Sequence, residues 1–141
     1  VGPYLPLDIH YAIGNFIRDA QGGGPIQING DGTPHRSYLY ASDLMIWLWT
    51  ILFRGVSCRT YNVGSENDVT IAELADIVVC CFQSHIEVKI AKLPAPNAPV
   101  ERYVPSTDRA QTELGLRQTI GLAESIKRTI DFNLKGANKI V

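Results

Sequence analysis

An α/β fold made of short strands and helices is predicted by three features of this sequence. Apolar residues recur at helical spacing in four stretches, near residues 9–20, 44–53, 71–81 and 122–130. Between them, Pro25–Asn29 and Ile86–Ala91 alternate apolar and polar residues, the pattern of half-buried strands. Glycine and proline fall at the ends of these stretches rather than inside them, at Gly22 to Gly24, Gly55, Gly115 and three prolines within residues 92–99.

In chain order, Asp8 is the expected cap of a first helix that presents Ile9, Ala12, Ile13, Phe16, Ile17 and Ala20 on one face. Gly22 is its expected stop. Ile26 and Ile28 then face one way on a short strand. Gly30-Asp31-Gly32 makes a turn tight enough for close backbone approach, and Arg36 follows it. Ser42 or Asp43 is expected to cap a helix ending at Gly55. That helix carries Leu44, Trp47, Leu48, Ile51 and Leu52 as a stripe, but Met45, Ile46, Trp49 and Phe53 make its other sides apolar too. Such a helix needs cover on more than one face.

Cys58–Gly64 reads as a buried strand with Tyr61 and Val63 apolar. Thr70-Ile71-Ala72-Glu73 is a capping box, followed by Leu74, Ile77, Val78 and Cys81 on one helix face. Ser106 or Thr107 caps a short helix with Ala110 and Leu114, stopped by Gly115. Gly121 to Phe132 forms the last helix, with Leu122, Ile126 and Ile130 aligned, and residues 133–141 are expected to be a frayed tail.

The 141 residues suffice for one domain, and 13 basic against 14 acidic side chains give a net charge of −1. That balance argues against bulk electrostatic binding of nucleic acid or an anionic membrane. The apolar run from Leu44 to Phe53 is about half of what a bilayer needs. Cys58, Cys80 and Cys81 have neither metal-site nor disulfide-framework spacing, so free buried thiols in a reducing cytoplasm are expected, with no metal.

Gly30-Asp31-Gly32, Arg36-Ser37-Tyr38 and Asp43 together resemble the Gly-Asp-Gly-x(3)-Arg-x(6)-Asp signature of the nucleotide-sugar epimerases and dehydratases, the extended branch of the short-chain dehydrogenase/reductases. Tyr61-Asn62-Val63-Gly64 and Asp108 to Leu116 are similar to later motifs of that family, in the same order. The resemblance implies that residues 1–132 are the C-terminal, substrate-binding lobe, without the parallel Rossmann sheet. It implies NAD or NADP in the full-length protein, bound by an absent N-terminal half, and a nucleotide-diphosphate sugar as substrate. Neither Gly-x-Gly-x-x-Gly nor Tyr-x-x-x-Lys occurs here. The fragment is therefore expected to hold no cofactor and no catalytic residue, and to be inactive alone.

The site residues that the resemblance implies are Arg36 and Arg102 on the diphosphate, and Ile26, Gln27 and Ile28 beside the base. Two guanidinium forks from separate loops suit a charge of about minus two. The plainer reading pairs Arg36 with Asp31 or Asp43, and Arg102 with Glu101 or another surface acid. His35 has no partner visible in sequence and receives no chemistry. The competing class is a stand-alone interaction module, docking a partner or a second copy through the apolar helix 44–53.

Overall fold

The computed structural model describes residues 1–9, 11–82, 85–96 and 99–137. The element order is α1 (Ala12–Gln21), β1 (Ile26–Ile28), β2 (His35–Ser37), α2 (Ala41–Arg54), β3 (Asp68–Thr70), α3 (Ile71–Phe82), β4 (Val88–Ile90), β5 (Arg102–Tyr103), α4 (Asp108–Leu114) and α5 (Leu122–Ala137). The α/β reading stands. Among the described residues the strands form two small sheets, a parallel β1–β4 pair and a three-stranded sheet in the order β3-β2-β5.

The main core lies between α1, α3, α5 and the β1–β4 pair. Ile13, Phe16, Ile17, Ile26, Ile28, Leu74, Ala75, Val78, Ile126 and Ile130 are buried in it. All but Ala75 are residues that the helical and alternating patterns single out. A second cluster gathers Ala110, Leu114 and Leu116 around Trp47, with Tyr61 and Val63 against it. Trp47 is the one residue of the α2 stripe that is buried, and its indole N–H donates to the Arg117 carbonyl at 3.3 Å.

The capping box forms as expected. The Thr70 N–H donates to Glu73 at 2.7 Å, and the Glu73 N–H donates to the Thr70 hydroxyl at 3.0 Å. Thr70→Ala should therefore lower stability by about 1 kcal/mol, measured by chemical denaturation, and unchanged stability would show that the box adds nothing. Gly115 is left-handed (φ 68°) and ends α4 by donating back to Gln111, with Leu116 donating to Ala110. Gly32 also has positive φ (80°), and a Cβ there would meet the Ala72 Cβ at 3.0 Å. The expected close approach at this turn is thus to the start of α3.

Several local expectations are corrected. Asp8 does not cap α1, whose cap position is Tyr11, and α1 begins at Ala12, so Ile9 lies outside it. The helix stop falls as expected on the triple glycine, but the left-handed residue is Gly23 rather than Gly22. Thr107 holds the cap position of α4 without making the capping bond. The Glu66 carboxylate takes over, accepting from the Thr107 N–H and hydroxyl.

Residues 58–64 form no strand, because a strand needs a neighbouring edge and no described segment supplies one. The sequence reading also passes over β2, β3 and β5, which are two or three residues long and too short for alternation to register. α5 continues through Asn133–Ala137, where Asn133 donates to the Thr129 carbonyl at 2.8 Å. Residues 138–141 of the expected tail lie outside the described residues. The cysteines are free, but Cys58 and Cys80 are exposed and Cys81 only half-buried, since two of them sit on outward-facing positions. No described helix is long and apolar enough to cross a membrane.

Candidate functional site

The central strand β2 carries Arg36, and it brings two distant stretches of chain beside it. β3 runs antiparallel along one edge, with His35 opposite Thr70 and Ser37 opposite Asp68. β5 runs parallel along the other edge, with His35 beside Arg102 and Arg36 beside Tyr103. Arg36 and Arg102, far apart in sequence, thereby come to line one cavity of about 570 Å³. Ser37, Asn62, Gly64 and Pro105 complete part of its wall.

Side chains alternate between the faces of a sheet, and residues in register share a face. Arg36 therefore leaves the sheet on the side of Tyr103, while Arg102 leaves on the side of His35 and Asp68. Each guanidinium has its own acid. Arg36 donates to Glu101 at 3.2 Å and to the His35 carbonyl at 2.8 Å. The Glu101 side chain is 71% exposed, so this contact is open to exchange with another anion.

Arg102 is held more firmly. Its Nε donates to Asp68 Oδ2 at 2.9 Å and its Nη2 to Oδ1 at 3.0 Å. The same Oδ2 meets His35 Nδ1 at 2.8 Å. The Asp68 side chain is 17% exposed, and the Arg102 fork, with the His35 contact adding to it, holds its carboxyl far below the ordinary carboxylate range. The acids that the plainer reading gave to Arg36 are occupied elsewhere. Asp31 accepts from Thr33, and Asp43 is buried against residues 119–120.

Ile26, Gln27 and Ile28 do not reach this cavity. Ile26 and Ile28 are core residues, while Gln27 and Ile28 line a second cavity of about 300 Å³ with Asn15, Phe16, Asn29 and Ile71. β1 pairs with β4 along one edge only. On its outer edge the Gln27 N–H meets the Asp19 carboxylate at 3.5 Å.

Sequence reasoning missed Asp68 and gave His35 no partner, because their meeting depends on the β2–β3 register and no spacing encodes it. Asn62, which received no ligand role, lines the first cavity and donates to the Ser106 carbonyl at 2.9 Å. Among the described residues no group of His, Cys, Asp and Glu side chains could hold a metal ion.

A sequence model described as the NAD dependent epimerase/dehydratase family matches residues 1–64. Over these residues the chain is similar to that family, as its motifs implied. It is 28% identical over 135 residues to UDP-glucuronic acid decarboxylase 6 of Arabidopsis thaliana, covering 95% of this chain and 38% of that protein. It is also 28% identical to dTDP-glucose 4,6-dehydratase of Escherichia coli, covering 86% of this chain and 36% of that enzyme.

The fold is shared with UDP-glucuronic acid 4-epimerase of Bacillus cereus, solved with UDP-glucuronic acid and NAD. That likeness has a TM-score of 0.79 at 19% identity and covers 96% of this chain and 42% of the epimerase. The chain thus spans about two fifths of the length of the relatives it matches.

Proposed function

We propose that this chain is the substrate-holding lobe of an NAD(P)-dependent nucleotide-sugar epimerase/dehydratase, and that Arg36 and Arg102 grip the nucleotide diphosphate. One observation carries the reading: two arginines far apart in the sequence line the same cavity. Its volume is within the range of small-molecule sites. Ligand entry would draw Arg36 off the exposed Glu101, and the two forks would meet the pyrophosphate from the two faces of the sheet. The second cavity, beside Gln27 and Ile28, is then the place for the base, against the outer edge of β1. Holding these remote groups would position the sugar for chemistry.

In this proposal NAD(P) is not held by the described glycines. The triple glycine follows a helix rather than a strand and serves as its stop, with Gly23 at φ 70°. In this proposal the cofactor and the acid–base pair belong to an N-terminal half outside these residues, and this chain alone turns over no substrate. α2 supports the same division. Trp49, Leu52 and Phe53 are 53, 68 and 76% exposed, with the Trp49 and Phe53 rings stacked at 5.5 Å. A soluble protein rarely leaves such a face open, and the dinucleotide-binding half would cover it.

The exposed α2 face also favours the second reading, a stand-alone module that docks a partner. Thermal shift with UDP, dTDP, CDP and GDP sugars, run beside sedimentation velocity, separates the two. The lobe reading expects one nucleotide class to raise the melting temperature, and the rise to vanish in Arg36→Ala. A concentration-dependent dimer with no shift for any nucleotide would favour the module.

A further inference from the structure

We propose that Asp68 is a positioning residue for the anion site: it holds Arg102 by the Nε/Nη2 edge, leaving the Nη1/Nη2 edge to meet a phosphate oxygen of a nucleoside diphosphate. The inference rests on the substrate reading above and adds to it the residue that orients one arm of the grip.

A guanidinium has two edges that can each receive an oxyanion in two parallel bonds. Asp68 occupies the first, with 2.9 and 3.0 Å bonds to Nε and Nη2. Nη1 donates to no described residue, and Arg102 lines the cavity. The Arg102 side chain is 59% exposed, so without a tether it would sample many rotamers. Asp68 is itself fixed. It lies on β3 opposite Ser37, and His35 Nδ1 meets its Oδ2 at 2.8 Å from the neighbouring strand. Glu73, the other acid near this cluster, is held in the capping box by Thr70. The contrast with Arg36 is informative. Its acid, Glu101, is largely in solvent and binds through one nitrogen, which makes it a resting partner and not a brace.

The test is isothermal titration of the 141-residue chain with UDP and with inorganic pyrophosphate, which reports the arginine site without the base. Asp68→Asn should weaken both ligands about tenfold while the melting temperature in their absence changes little. Asp68→Glu should restore most of the loss, and Asp68→Asn should cost nothing further in an Arg102→Ala background. A merely structural role would lower the melting temperature, show no rescue and act equally in both backgrounds. Should the unmodified chain bind neither ligand, the substrate reading and this inference fall together. Binding that Arg102→Ala weakens but Asp68→Asn leaves alone, or tightens, overturns the positioning role and spares the reading.

Discussion

Arg36→Ala is expected to weaken binding of a nucleotide sugar roughly thirtyfold, about 2 kcal/mol, with the fold intact. The clean readout comes from the environment of Arg36. Its ion-pair partner Glu101 is largely in solvent, so removal of the guanidinium strands no buried charge. Arg102→Lys is the complementary variant. It keeps the charge but loses the planar fork, and Asp68 can no longer hold it through two nitrogens. Binding should fall in that variant too, and the remaining affinity should decline with added salt, because a point charge at a half-exposed site is screened. Titration calorimetry at two ionic strengths measures both effects. If Arg36→Ala binds as tightly as the unmodified chain, the diphosphate grip is wrong, whatever the family.

The parts of the candidate site differ in how readable they were. Arg36 stood out as a candidate because a glycine turn and a helix start bracket it at fixed spacing. Arg102 became a candidate only through the order of motifs, since nothing in the run Glu101 to Asp108 distinguishes it from a surface arginine. Asp68 was invisible. It belongs to a three-residue strand whose only signal is the capping box that follows. Pairing of very short strands is decided by tertiary contact, and neither periodicity nor propensity reports it.

The core was legible for the opposite reason. Ile13, Ile17, Leu74, Val78, Ile126 and Ile130 sit on long helices, where the apolar repeat declares the buried face. α2 sits between these cases. Its sequence is apolar almost all round, so the pattern could say that it needed cover but not which face received it. The structure buries Trp47 and Asp43 and leaves most of the remainder outward. Segment 58–64 failed as a strand on the same ground, because its composition suits a sheet but no described segment pairs with it.

Asp43 shows how a motif residue can have its purpose outside its own helix. At the head of an apolar run it reads as an N-cap, but the cap position belongs to Tyr40 and Asp43 sits in the first turn of α2, 1% exposed. Its carboxylate accepts from the Thr119 N–H at 2.9 Å, the Ile120 N–H at 3.0 Å and the Thr119 hydroxyl at 2.5 Å. It ties α2 to the loop that leads into α5, and so joins the Trp47 cluster to the main core. Asp43→Ala would leave two backbone N–H groups and a hydroxyl without their acceptor. The expected loss is about 3 kcal/mol.

The same bonds give a pH signature. Burial by itself would raise the Asp43 pKa, but the donors of Thr119 and Ile120 outweigh it and the net shift is downward. A depressed folded-state pKa means stability that is present above the ordinary aspartate value and lost as pH falls through the lower, folded one. Denaturation midpoints should therefore fall less steeply between neutral and acid pH in Asp43→Ala than in the unmodified chain. Parallel pH profiles for the two proteins would show that Asp43 does not carry this tie, and the destabilisation would then have to come from lost packing alone.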